Sequence, residues 1–232
     1  EDFDSCLEMV AKNNQILADD VLEKFPIEYF SMNTGVFYDL NREENTEKII
    51  SHTNTARRKA REQMDGICAY TEELAQAELQ RADVLHSFQS ALEKEEFILY
   101  FQPKISGKSA EITSAEVLVR WKRADGEIWG PNKFISVLEE CGKVEALDFY
   151  VYEKAFQWMV SQRECRTQPV TLSLNISPFH FRDIEGFTKK LLDIINKYEI
   201  DTRYLIFEIT ESAYIRNRDA VNGMISILHA YH

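Results

Sequence analysis

The sequence predicts an α/β fold in which, from Phe97 onward, strands alternate with helices in the manner of a barrel or layered domain. Three observations predict it. Apolar and polar residues alternate in "SAEVLVRW" (114–121), "PVTLSLNIS" (169–177) and "YLIFEIT" (204–210), the period of a strand with one buried face. Between these runs, apolar residues recur at helical spacing, as in Val144, Leu147, Val151, Ala155, Trp158 and Met159. Punctuating residues separate the two kinds of segment: Pro131 opens and Gly142 closes the helix of "PNKFISVLEECG".

At the front of the chain, "FDSCLEMVAKNNQILADDVLEKF" predicts a short strand running into a helix. "IEYFSMNTGVFYDL" is β-rich around Gly35, and "TEKIISHTNTARRKAREQ" is a helix with an alanine-lined face. "ICAYTEELAQAELQRADVLHSFQSALEKEE" (67–96) is rich in Ala, Leu, Glu and Gln without proline, which predicts a helical connector. "FILYFQP" (97–103) is a strand closed by Pro103, and "EITSAEVLVRW" (111–121) is the next. The short link around Gly107 makes this first pair antiparallel. "EGFTKKLLDIINKY" (185–198) and "DAVNGMISILHAY" (219–231) are helices on either side of the strand at 204–210.

Composition excludes several function classes. The 232 residues carry a net charge of -12 with 28% charged side chains. No basic field is present to displace counterions from a phosphate backbone, so a nucleic-acid polymer is not an expected partner. No apolar run approaches the roughly 18 residues of a membrane span, so no membrane segment is expected in this chain. A cytoplasmic location is expected, with any membrane anchor supplied by other segments of a parent protein. The opening "EDFDSCLEMV" has acids where a signal peptide has bases and does not begin with methionine, as in a segment of a longer protein. Cys6, Cys68, Cys141 and Cys165 fit no metal-ligand spacing and read as reduced, buried thiols. His52, His86, His180, His229 and His232 read as surface or packing residues.

The second face of each strand carries the chemistry. Opposite the Val117, Val119 and Trp121 face lie Glu116, Leu118 and Arg120; opposite Leu172 and Leu174 lie Ser173 and Asn175; opposite Leu205 and Phe207 lie Ile206 and Glu208. Glu116, Asn175 and Glu208 thus form a polar set on successive strands, as at the C-terminal rim of a β/α barrel. Two carboxylates and an amide oxygen are hard ligands that suit Mg²⁺ or Mn²⁺, and Arg120 suits a phosphate. A Glu116–Arg120 ion pair, or a sheet facing solvent, would give the same alternation. Glu211, on the opposite pleat from Glu208, reads as a carboxylate at a helix N-terminus.

Four blocks in order, "FILYFQPKIS", "SAEVLVRW", "LSLNIS" and "FEITES", resemble the first half of an EAL domain, a cyclic di-GMP phosphodiesterase fold. The family's Glu-Ala-Leu signature stands here as Glu116-Val117-Leu118, and the altered middle side chain points away from the site. The resemblance implies an incomplete TIM-like (β/α) barrel of the EAL type over residues 86–232, with an antiparallel first strand pair. It implies Glu116, Asn175 and Glu208 as metal ligands, with Glu116 and Glu208 catalytic, and Arg120, Gln102 and Leu118 on the substrate side. The implied cofactors are Mg²⁺ or Mn²⁺, two ions in a complete domain. The implied substrate is cyclic di-GMP, hydrolysed to linear pGpG.

The family's Asp-Asp motif and its later lysine, glutamate and glutamine do not occur in these residues. The chain alone is therefore expected to be inactive and to need a cover for its open half-barrel, either a second copy in a homodimer or the missing segment. "SMNTGVFYDL" and "TNTARRKAR" resemble the closing half of a GGDEF domain, with "EDF" as the remnant of its signature. That implies a GGDEF-like part at 1–66, a helical connector at 67–85 and the N-terminal half of an EAL domain at 86–232. The alternative reading is a catalytically degenerate GGDEF–EAL module that acts as a cyclic di-GMP receptor or a protein-interaction scaffold.

Overall fold

The computed structural model describes residues 3–38, 44–107, 111–165 and 169–230, and the chain divides into two compact units, 1–80 and 81–232. Glu1 and Asp2 of the "EDF" remnant, Asp39 and Leu40 of the β-rich run, and Tyr231 at the end of the last helix lie outside the described residues.

In the first unit, α1 (Phe3–Lys24) is helical from its start, where the sequence predicts a strand. None of its described side chains is buried, so no sheet captures the early apolar residues and the segment's many helix formers decide. The β-rich run shortens to β1 (Thr34–Val36), which pairs in parallel with β2 (Ile67–Ala69) across α2 (Thr46–Ala60), a βαβ crossover. Strand β2 falls inside the stretch expected to be helical, and three residues are too few for a period to register. Asn45 caps α2 by accepting from the Lys48 N–H at 2.9 Å, and Ala56 and Ala60 bury against Cys68. Gly35 permits the close approach of β1 to α2, since a Cβ there would lie 2.0 Å from the Thr53 carbonyl oxygen.

Helix α3 (Glu72–Glu93) follows; its Val84, Phe88 and Ala91 are buried in the core of the second unit. That unit is built on a five-stranded mixed sheet of β3 (Phe97–Ile105), β4 (Ile112–Lys122), β5 (Ile128–Trp129), β6 (Thr171–Asn175) and β7 (Leu205–Glu208). The order is β3-β4-β6-β7, with β3 and β5 antiparallel to β4, and β4, β6 and β7 parallel to one another. Strand β3 does not stop at Pro103 as the sequence predicts; it ends the described sheet on one side, where a residue without an N–H is tolerated. The two-residue β5, absent from the sequence reading, follows a turn at Gly126 with φ of 90°.

The parallel connections are helical. α4 (Ile135–Glu140) and α5 (Val144–Glu164) link β4 to β6, and α6 (Ile184–Lys197) links β6 to β7. α7 (Glu211–Arg216) and α8 (Arg218–Ala230) follow β7, with Glu211 in the first turn of α7 as read. Val117, Trp121, Leu172 and Leu174 pack with Leu147, Tyr152, Ala155 and Leu191 in one buried cluster, so the helices cover the apolar face of the sheet. The polar face is thereby left for the site. No described helix is long and apolar enough to cross a membrane. The four cysteines are unbridged, but only Cys68 is buried; Cys141 and Cys165 follow the last residues of α4 and α5 and are exposed, contrary to the buried reading.

Candidate functional site

Sheet register assembles the site. Gln102 on β3 lies opposite Glu116 on β4, Glu116 opposite Ser173 on β6, and Asn175 opposite Glu208 on β7. Residues opposite one another in a ladder share a face, so all five side chains belong to the face the helices leave open. Asn175 Nδ2 donates to Glu116 Oε1 at 3.1 Å, which leaves the amide oxygen and the second glutamate oxygen for other partners. Leu118, Val119, Ile135, Asn175, Pro178 and Glu208 line a cavity of about 250 Å³ beside these groups.

The structure adds a residue that the sequence reading does not include. Lys104, two residues beyond Gln102 on β3, places its Nζ 2.6 Å from Glu208 Oε1 and 3.3 Å from Ser173 Oγ. On a flat sheet β3 and β7 would stand about 14 Å apart, three strand spacings, well beyond the four-carbon stem of a lysine. The sheet therefore curves around this face. The Lys104 hydrogen bond holds the Glu208 carboxyl below the usual glutamate range, with the Ser173 hydroxyl assisting, and Glu208 in turn raises Lys104.

A carboxyl titration by NMR should therefore place Glu208 below an ordinary glutamate, and Lys104→Met should raise it again. An unshifted Glu208 in the unsubstituted protein would contradict the pairing. Because the folded value is depressed, the pair's stabilisation is present above the unfolded value of about 4.3 and is lost as pH falls through the folded one. Solvent screening keeps it small, since Lys104 is about half exposed.

Arg120 does not pair with Glu116. Its Nη1 donates to the Val119 carbonyl at 2.9 Å, and its guanidinium stands 5.6 Å from the Tyr100 ring centroid. The ion-pair alternative therefore fails, and the guanidinium keeps donors for another partner.

Support for the site comes from α5 and the segment after β6. Tyr152 donates its hydroxyl to the Asn175 carbonyl at 2.9 Å and fixes the end of β6, and burial raises the Tyr152 hydroxyl well above its ordinary pKa. Ser177 donates to Glu139 Oε1 at 2.6 Å, and Asp148 pairs with His180 Nε2 at 2.8 Å in a nearly closed environment. Burial pushes the Asp148 carboxyl up, opposed by its hydrogen bond to His180.

Glu116, Asn175 and Glu208 fit a hard divalent cation by donor type, and Glu208 already attracts a cationic group of the chain itself. Among the described residues, no group of three His, Cys, Asp or Glu side chains could hold a metal ion, so the set is two carboxylates and an amide.

The family model of the EAL domain matches residues 85–232. The chain belongs to the EAL-domain family. Among curated relatives, the cyclic di-GMP phosphodiesterase PA2567 of Pseudomonas aeruginosa is 29% identical over 167 residues, covering 72% of this chain and 28% of the relative. The solved PaMucR phosphodiesterase in complex with c-di-GMP superposes with a TM-score of 0.60 at 24% identity, over 64% of this chain and 60% of that one. The FimX EAL domain from Pseudomonas aeruginosa bound to c-di-GMP gives a TM-score of 0.55 at 26% identity, over 63% of this chain and 59% of that one. The chain thus spans less than a third of the curated relative and about 60% of either solved chain.

Proposed function

We propose that residues 86–232 form the N-terminal, metal-binding half of an EAL-type (β/α) barrel in a parent that hydrolyses cyclic di-GMP to linear pGpG. The observation that carries this reading is the convergence of Glu116, Asn175 and Glu208 on three neighbouring strands of one curved face. Relatives named as cyclic di-GMP phosphodiesterases support the substrate. Glu116 and Glu208 would supply anionic oxygens to Mg²⁺ or Mn²⁺, with Asn175 Oδ1 as a neutral third donor. Two such ions, when bound, supply an activated water and charge neutralisation at the phosphodiester. Arg120, free of Glu116, orients a non-bridging phosphate oxygen, while Gln102 and Leu118 contact the substrate.

For residues 1–66 we propose a GGDEF-like origin, supported by β1 and α2, which form a βαβ crossover with β2 just past that bound. A receptor module is the second reading. The Lys104 ammonium on Glu208 favours it, because it satisfies a would-be metal carboxylate without metal.

The test is an Mn²⁺-dependent assay for pGpG, run on this chain and on a protein carrying it within a complete EAL domain. The complete domain is expected to turn over and the 232-residue chain is not. Tight cyclic di-GMP binding without pGpG from the complete domain would establish the receptor reading. Arg120→Lys in the complete domain is expected to raise KM with Mn²⁺ affinity unchanged, since lysine lacks the planar fork. Equal loss of both would make Arg120 structural.

A further inference from the structure

We propose that Lys104 is a tethered cation stationed at the Glu208 position, so that a divalent ion enters this site by displacing its ammonium group. The proposal rests on the reading of Glu116, Asn175 and Glu208 as the cation site.

Three observations support it. Lys104 Nζ lies 2.6 Å from Glu208 Oε1, inside the distance of a charge-assisted hydrogen bond. The contact is built in by the fold: Lys104 follows Gln102 by two residues on β3 and so shares its face, and the curvature of the sheet brings β3 within reach of β7. The Ser173 hydroxyl, fully buried on β6 between the two strands, accepts from the same ammonium at 3.3 Å. The lysine is therefore held by two acceptors on two strands.

A divalent ion and this ammonium oppose each other at Glu208: an ion on Oε1 competes with the ammonium for that oxygen, and an ion on Oε2 stands close enough to be repelled by it. Metal binding then carries the cost of breaking the Lys104–Glu208 pair. That cost is moderate, because the lysine side chain is about half exposed and can swing to water without deprotonation. The device sets a threshold: the site stays closed to cations at low concentration and opens when the doubly charged ion outcompetes the singly charged one. It also keeps Glu208 from standing as an unneutralised carboxylate on the inner face of the sheet when no ion is bound.

The experiment is a titration of Mn²⁺ into this chain, read as loss of the free-ion electron paramagnetic resonance signal, a readout independent of turnover. Lys104→Met and Lys104→Gln are each expected to bind Mn²⁺ about 3- to 10-fold more tightly than the unsubstituted chain, corresponding to about 0.7–1.4 kcal/mol. Lys104→Arg keeps the charge and is expected to stay near the unsubstituted affinity. Glu208→Gln serves as the reference for the site and is expected to lose binding. Should Mn²⁺ bind in a Glu208-dependent manner but no more tightly in the Met and Gln variants than in the unsubstituted chain, the cation site stands and the tethered-cation proposal is overturned. Weaker binding in both neutral variants overturns it as well, because it makes Lys104 a support of the site. Absence of Mn²⁺ binding from every protein in the series overturns the cation-site reading and this proposal together.

Discussion

Glu208→Gln, in a protein with a complete EAL domain, is expected to lose at least about 100-fold of its Mn²⁺-dependent cyclic di-GMP hydrolysis. Even the outer partners of metal ligands are worth about 10–100-fold, and a direct carboxylate donor should exceed them. The substitution preserves size and position on β7, where Glu208 pairs with Asn175, while it removes the negative charge. A 100-fold loss corresponds to about 2.7 kcal/mol of transition-state stabilisation. Val117→Ala on β4 supplies the control: its side chain is buried toward the helices, and turnover should stay within a few-fold. Full turnover by the Glu208→Gln enzyme would remove Glu208 from the cation site.

Trp121→Ala is expected to cost about 3–5 kcal/mol of stability, measured by denaturant unfolding of this chain. The indole has no exposed surface, and its centroid lies 4.8 Å from that of Phe97 and 5.6 Å from that of Phe134. Its Nε1 donates to Glu96 Oε2 at 3.0 Å, and the Arg123 guanidinium, paired with Asp83, stands 4.4 Å from the indole. Removing the ring empties a fully buried space, whereas Trp121→Phe retains an aromatic filling and should cost distinctly less. Set against a typical total of about 5–15 kcal/mol, the alanine variant should be close to unfolding at body temperature. A loss under about 1 kcal/mol would mean that the surrounding rings collapse into the gap.

The sequence makes the site strands legible because each buries one face and exposes the other. Period-two alternation is enough to place Glu116, Asn175 and Glu208 together. Lys104 escapes the same reasoning for a definite cause. Proline breaks a central strand, so the reading ends β3 at Pro103, while the edge position lets the strand continue to Ile105. Counting two residues on from Gln102 would find it. β2 and β5, three and two residues long, are too short for an alternation to register, though "DGE" at 125–127 carries a turn signal for β5. α1 misleads because a helix with no buried residue has no reason to show a clean apolar stripe. Tyr152 against Asn175 and Asp148 against His180 join residues more than twenty positions apart, contacts that exist only once α5 packs on β6.

The antiparallel start of the sheet has a practical consequence for anyone attaching a probe to this protein. β3 reverses into β4 between Ser106 and Glu111, where the Ser106 N–H donates to the Glu111 carbonyl at 2.9 Å. That reversal sits where β4 begins, whereas Asn175 and Glu208 stand where β6 and β7 finish. A fluorophore, epitope or added loop grafted after Gly107, where a side chain would meet nothing within 4 Å, is joined at the opposite strand ends from those that carry Asn175 and Glu208, with Lys104 the site residue nearest to it. The hairpin register on either side keeps Gln102 and Glu116 opposite each other. The same graft after Ser177 would pull on the hydroxyl that Glu139 holds and on the end of β6 that carries Asn175.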